Sequence, residues 1–430
     1  MHITPGRLRA LLALSILAWG GLAAAQPAGL AEAAQATVID LPTALRLALE
    51  QPGARAAAHE VAAAEAEASQ AGRLPNPELD YQREGRQAGW RTTTILIRQP
   101  LELGGKRQAR IDLAEGASAL ARGELALRRG ELRAGVRAAF YALLLAQEKQ
   151  QLAEAGAALA RRSVDIAARR VQAGKISPLD ETRARLAAVD AASESKRAGA
   201  ELLIARTRLG ALVGQAGTPA LTAAGDPAAL PLLKPLAALL PGAGNTGVGN
   251  MGAVRQARLR LAAQEAQTEV ERAARIPDLT LSAGRQREEE GPQARGRTVI
   301  GLSVPLPLFD RNQDRLLASL RRADKARDEL AAAEVDTAVR IAETHTRYEL
   351  ASAEARLLAA DVIPSAQSAH ALTLTGFEYG KFSFLDVLDA QRTLFQVRSR
   401  RSDALLAAWQ AWADIERLAG PGASTATKIR

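Results

Sequence analysis

Two carboxylates in the stretch "GKFSFLDVLD" (380–389), Asp386 and Asp389, are spaced i and i+3, so on a helix they share one face. Such a pair attracts cations, and copies of it crowded together would raise some of their pKa values by mutual repulsion. Chemistry of the catalytic kind is not expected. Neither this stretch nor its upstream echo "GKISPLDETR" (174–183) holds a nucleophile, a metal cluster or a phosphate-binding loop. No convergent set of nucleophile, base and orienting group is evident elsewhere, so the chain is not read as an enzyme. After the leader, the imidazole and thioether groups are His59, His345, His370 and Met251, none with paired spacing, and no metal site or cofactor is expected. The chain has no cysteine, which excludes disulfides, thiolate metal sites and a lipid attached to a cysteine.

Most of the echo is explained by helix ends. Gly174 and Gly380 suit the left-handed position that closes a helix. Ser177, followed by Pro178 and Asp180, suits an N-cap, a first-turn proline and a first-turn acid, and Ser383 with Asp386 repeats the pattern. Asp180 and Asp386 are also favoured by the helix dipole. Capping has no claim on Asp389, which lies one turn further in and falls opposite Arg183 in the first copy. The turns at 174–177 and 380–383 are therefore expected to be helix-to-helix tips, with Lys175, Ile176, Lys381 and Phe382 exposed.

Long helices must carry those tips. No proline occurs from about Gly104 to Gly174, nor from Phe309 to Val362. Leu113, Leu120, Leu127 and Ala134 recur every seven residues, with Leu125, Leu132 and Ala139 as an offset stripe, so the first long helix is expected to have two helical neighbours. About 70 helical residues would span roughly 105 Å.

Between helices lie two segments that read as strand, polar turn, strand: about 77–103 and about 278–307. Leu79 and Tyr81 share one face, as do Thr93, Ile95, Ile97 and Leu101; in the second pair Leu279, Leu281 and Ala283 match Ile300, Leu302, Val304 and Leu306. Strands of about ten residues with one apolar face fit either a membrane β-barrel or a soluble half-buried hairpin. Prolines bracket both hairpins (Pro75, Pro77 and Pro100; Pro277, Pro305 and Pro307), where strands hand over to helices.

The expected order is helix (about 41–72), hairpin, long helix, tip, helix (about 178–214), a Gly/Pro/Ala-rich connector (215–250), then helix (about 251–275), hairpin, long helix, tip, helix (about 384–419). Pro75 aligns with Pro277, Tyr141 with Tyr348, Gly174 with Gly380 and Asp180 with Asp386, so residues 26–214 and 251–420 are read as an internal duplication, with 421–430 a tail. The start reads as a secretory signal: Arg7 and Arg9, an apolar run, and Ala23-Ala24-Ala25, with cleavage expected near Ala25. The net charge of +9 reads as arginine-rich solvated helix faces; basic residues interleaved with acids and lacking aromatic stacking partners do not suit nucleic-acid binding.

Four strands cannot close a barrel, so a membrane role needs several chains to pool strands: three give twelve, two give eight. The segments "LPTALRLALEQP", "LPNPEL", "QPLELGGKR", "VPLPLFDRNQ" and the paired "GKxSxLD" turns resemble the TolC-type outer-membrane efflux proteins, with "PLELGGKR" and "PLPLFDRNQ" most similar to the branch serving cobalt-zinc-cadmium export. The resemblance runs from about Asp40 to Gly420.

It implies a mainly α protein with a β-barrel portion. Three copies would form a twelve-stranded outer-membrane barrel in contact with lipid, continued by a periplasmic α-helical barrel of coiled-coil character. It implies a homotrimeric passive duct working with a periplasmic adaptor (membrane-fusion) protein and an inner-membrane pump of the resistance-nodulation-division type, exporting divalent heavy metals. Alternatives are the same channel serving drug or solvent efflux or type I secretion, and a soluble periplasmic coiled-coil scaffold. By position, Asp386 and Asp389 match the family's constriction aspartates and Asp180 a gate residue. A tyrosine and an arginine of the family's gate latch fall on Phe377 and Phe382, which puts apolar contact in place of a polar latch beside Arg183. The tips, Gly174, Lys175, Ile176 and Ser177 with Gly380, Lys381, Phe382 and Ser383, would meet the adaptor.

Overall fold

The computed structural model describes residues 37–85, 90–215, 221–240 and 251–419; the leader, the 421–430 tail and parts of the connector lie outside these. Strand β1 (Thr37–Ile39) leads into helices α1 (Leu41–Leu49) and α2 (Pro52–Ala71). The single helix expected over 41–72 is therefore two. Gln51 is extended, with φ −70° and ψ 154°, because Pro52 disfavours helical geometry in the residue before it. The Gln51 side chain holds the break, donating to the carbonyls of Leu47 at 3.0 Å and Val213 at 3.1 Å.

Strands β2 (Glu78–Glu84) and β3 (Trp90–Leu101) follow, then α3 (Lys106–Gln172) and α4 (Pro178–Val213). After β4 (Leu221–Ala223) and the short α5 (Leu236–Leu239), the order repeats as α6 (Gly252–Ala273), β5 (Leu279–Glu290), β6 (Gln293–Ser303) and α7 (Gln313–Leu357), then α8 (Ile363–Glu378) and α9 (Phe384–Ala419). Helix α3 runs unbroken for 67 residues, about 100 Å. Near its start it packs on α2 and α6, and further along on α4 and α9. That change of partners is what its two stripes serve.

The second long helix is interrupted, against expectation. A π-turn at Leu358–Val362, in which the Ile363 N–H donates to the Leu358 carbonyl, joins α7 to α8. Pro364 supplies no N–H and its ring crowds the preceding turn, and the wider turn accommodates both. Among the described residues no helix is long and apolar enough to cross a membrane.

The four long strands form one antiparallel sheet in the order β2-β3-β5-β6. Its register sets Leu79 opposite Ile97, Tyr81 opposite Ile95, Ala283 opposite Ile300 and Leu281 opposite Leu302. One face therefore carries a continuous apolar patch, and Leu79, Ile97, Ile300 and Leu302 are all more than half exposed. Further from the helices the same face turns polar, with Arg83, Thr93, Arg285, Arg287 and Thr298. On the other face Arg98 pairs with Asp80 at 2.6 Å. The outer edges of β2 and β6 have no partner strand among the described residues.

The connector does more than span. Its β4 pairs in parallel with β1, and Gln147 of α3 both donates to the Ala223 carbonyl (3.0 Å) and accepts from the Ala223 N–H (2.7 Å). Further along, Trp409 Nε1 donates to the Pro227 carbonyl at 2.8 Å, the Tyr348 hydroxyl donates to Pro231, and His345 Nε2 lies 3.1 Å from the Lys234 carbonyl. Tyr141 stacks on Trp409 with ring centroids 3.3 Å apart. Burial pushes the hydroxyls of Tyr141 and Tyr348 up to about 12, so both remain neutral, and Tyr348 keeps the proton that it donates to Pro231. This belt fastens the middle of α3 to the last third of α7 and of α9, leaving the tips to be held by local contacts.

Candidate functional site at the helix tips

Both tips are built the same way at their first half. At tip 1, Gly174 has φ 66°, its N–H donates to the Val171 carbonyl at 2.9 Å, and the Lys175 N–H reaches back to Arg170 at 2.8 Å. At tip 2, Gly380 has φ 72°, donates to Phe377 at 3.1 Å, and Lys381 reaches back to Gly376 at 2.8 Å. Each is the double hydrogen bond of a helix closed by a left-handed glycine.

The second halves differ. Ser177 accepts from the Leu179 N–H at 3.2 Å, while Asp180 turns toward Arg183 at 3.7 Å. At tip 2, Asp386 closes a reciprocal box: its carboxylate accepts from the Ser383 N–H at 2.8 Å and the Ser383 hydroxyl at 2.7 Å, and the Ser383 oxygen accepts from the Asp386 N–H at 3.2 Å. The residue three positions on explains the choice. Arg183 draws Asp180 away from the cap, whereas Asp389 cannot pair with Asp386, which stays on the serine. Hydrogen bonds from the Ser383 hydroxyl and N–H hold the Asp386 carboxyl below the usual carboxylate range. Within one chain the shift is thus opposite to the upward one that ring repulsion would cause.

Beneath the turns lies a small apolar cluster of Ala167, Ala184, Phe377, Phe384 and Val387, with Ile176 packed against it. Ile176, expected at the exposed tip, is therefore half-buried, because a β-branched side chain beside that cluster removes apolar area from water. Phe377 is buried, lies 5.5 Å from the Phe384 ring, and carries the Arg170 guanidinium 3.8 Å above its centre, linking α3 to α8. Phe382 lies over Gly376, where an added Cβ would fall 2.1 Å from the ring. Lys175, Ser177, Lys381 and Ser383 are exposed. Gly376 and Arg170 were not legible as tip residues, since neither belongs to the repeated motif.

Asp389 is exposed and lines a groove of about 630 Å³ over α3 and between α4 and α9. Arg183, Asp190 and Arg392 line it too. The residues expected to differ between the repeats, Arg183 and Asp389, thus share one groove, while Asp386 stays at its cap and Asp180 faces Arg183. Among the described residues, no three potential ligands cluster to hold a metal ion.

The model of the family described as outer membrane efflux protein matches residues 45–215 and 249–421. The chain is 42% identical over 365 residues to the cobalt-zinc-cadmium resistance protein CzcC of Cupriavidus metallidurans, covering 85% of this chain and 86% of that protein. It is 30% identical over 337 residues to the nickel-cobalt-cadmium resistance protein NccC of Alcaligenes xylosoxydans xylosoxydans, covering 76% and 72%. Among solved structures, CusC, described in terms of folding and transmembrane channel formation, aligns with a TM-score of 0.75 at 18% identity over 89% of this chain and 92% of that one. The outer membrane protein VceC from Vibrio cholerae gives 0.72 at 20% identity over 88% and 96%. At these identities the structural likeness is one of fold.

Proposed function

The chain belongs to the outer membrane efflux protein family, and from that premise we propose that three copies pool their strands into a twelve-stranded barrel that serves as the exit duct of a tripartite heavy-metal efflux system. It is a channel protein with a TolC-like fold and not an enzyme. The observation that carries the duct reading is the four-stranded sheet: an exposed apolar face, two edges unpartnered among the described residues, and long helices leading away from one end, α3 for about 100 Å. Lipid tolerates no open edge, so neighbouring copies must cover these.

Divalent cations are the proposed cargo, supported by the resistance named for CzcC and NccC. An adaptor would seat on the exposed tip residues and an inner-membrane pump would supply the energy. Asp386 and Asp389 are the proposed constriction carboxylates, with Asp180 partly neutralised by Arg183. Cleavage of the leader near Ala25 is part of the same proposal.

Deletion followed by growth on zinc, cobalt, cadmium, nickel, copper and several drugs tests the cargo. Metal sensitivity restored by the intact gene is expected. Sensitivity to drugs alone would transfer the channel to drug efflux, and a protein absent from outer-membrane fractions would favour the periplasmic scaffold.

A further inference from the structure

At the junction of sheet and helices a groove of about 590 Å³ is lined by Leu306, Leu308, Phe309, Arg275, Arg311 and Arg315 among others. In a single copy its apolar wall is open: Leu306 is 75%, Leu308 64% and Phe309 92% exposed. Leu306 follows the stripe of Ile300, Leu302 and Val304; the chain then turns, the Leu308 N–H donating to the Leu306 carbonyl at 2.9 Å, and Leu308 and Phe309 line the groove. From Ile300 to Leu306 the stripe spans roughly 20 Å at about 3.3 Å per residue, most of the ~25 Å apolar band of a membrane barrel. Beyond Ile300, towards the hairpin turns, the same face carries Thr298 and Arg285. The hydrocarbon layer must therefore sit low on the sheet, which brings the headgroups of the leaflet nearest the helices to the level of this groove.

The charges there are unspent. Arg275, Arg311 and Arg315 make no side-chain ion pair with any described residue. The groove's remaining cation, Lys106, is already bonded to Asp278 at 2.8 Å, and Asp310 accepts from the Asn312 N–H at 2.8 Å. Three guanidiniums beside an exposed apolar stripe present forked donors suited to phosphate and a wall suited to an acyl chain.

We propose that this groove binds one phospholipid of the leaflet nearest the helices, its phosphate held by Arg275, Arg311 and Arg315 and its chain laid along Leu306, Leu308 and Phe309. The proposal rests on the membrane-channel reading. Each copy in the assembly carries one such site, so the seam between barrel and helices is fixed at headgroup depth.

The test uses the full-length protein purified as an oligomer in mild detergent and titrated with phosphatidylglycerol under native mass spectrometry. The triple variant R275Q/R311Q/R315Q should lose about tenfold or more in apparent lipid affinity. Phe309→Ser should lose less, and both should keep the oligomer and its bilayer conductance. Equal lipid retention by the triple variant, or displacement of lipid by an equal concentration of inorganic phosphate, would overturn the proposal. Lack of both oligomer and conductance in the unaltered protein overturns the channel reading itself, whereas unchanged lipid retention in a conducting variant overturns only the lipid site.

Discussion

Tip 1 and tip 2 are written with nearly the same residues yet hold themselves differently. Both close a helix with a left-handed glycine and open the next with a serine. Only tip 2 completes the reciprocal cap, because the residue three positions past its acid is Asp389 and not an arginine. Tip 2 also owns the buried phenylalanines, whereas tip 1 contributes Ile176 from the side. A repeated motif fixes the turn; the residue after it decides where the charge goes.

The largest way to break the asymmetry is Phe377→Ala. It removes a buried ring from between Phe384 and Arg170 and should cost about 3 kcal/mol of local stability, read as lost amide-exchange protection at both tips. Ile176→Ala, at the half-buried counterpart, should cost about 1 kcal/mol or less. Equal losses would show that the tips share one evenly distributed cluster.

Gly376→Ala comes next. The new Cβ must displace the Phe382 ring, an overpacking cost of about 1–3 kcal/mol, seen as faster proteolysis near Lys381 with tip 1 unaffected. Unchanged cleavage would mean that Phe382 has another resting place.

Ser383→Ala should destabilise tip 2 by about 1 kcal/mol, and Ser177→Ala tip 1 by less, since Ser177 anchors no reciprocal carboxylate. The smallest effect is one of pH. The folded Asp386 pKa lies below its unfolded value of about 3.9, so its contribution is fully present above that value and is lost as pH falls through the lowered pKa. Amide exchange at 381–386 should therefore accelerate below about pH 4, and Asp386→Asn should remove the dependence. A pH profile unchanged by that substitution would refute the cap's role.

Much of the architecture was legible because its signals are local. Prolines at Pro75, Pro100 and Pro277 mark the strand-helix exchanges, and period-two alternation from Thr93 to Ile97 marks a strand. What escaped depends on distant partners. Strands β1 and β4 are three residues each and exist only because they pair across nearly the whole first half. The belt residues Tyr141, His345, Tyr348 and Trp409 sit on helices whose pattern says nothing about carbonyls in the connector. The π-turn had a local sign in Pro364, but a proline can kink, end or widen a helix, and only packing selects among these. At the tips, the caps were legible and the seat at Gly376 was not, since a glycine inside a helix does not announce the ring that lies on it.

The most direct test of the account is single-channel recording in planar bilayers with and without zinc or cobalt. The unaltered protein should conduct and be blocked by the divalent ion, and the double substitution Asp386→Ala with Asp389→Ala should raise conductance or weaken the block, while Asp180→Ala does so less. Currents and block unchanged by the double substitution would contradict an acidic constriction at the second tip.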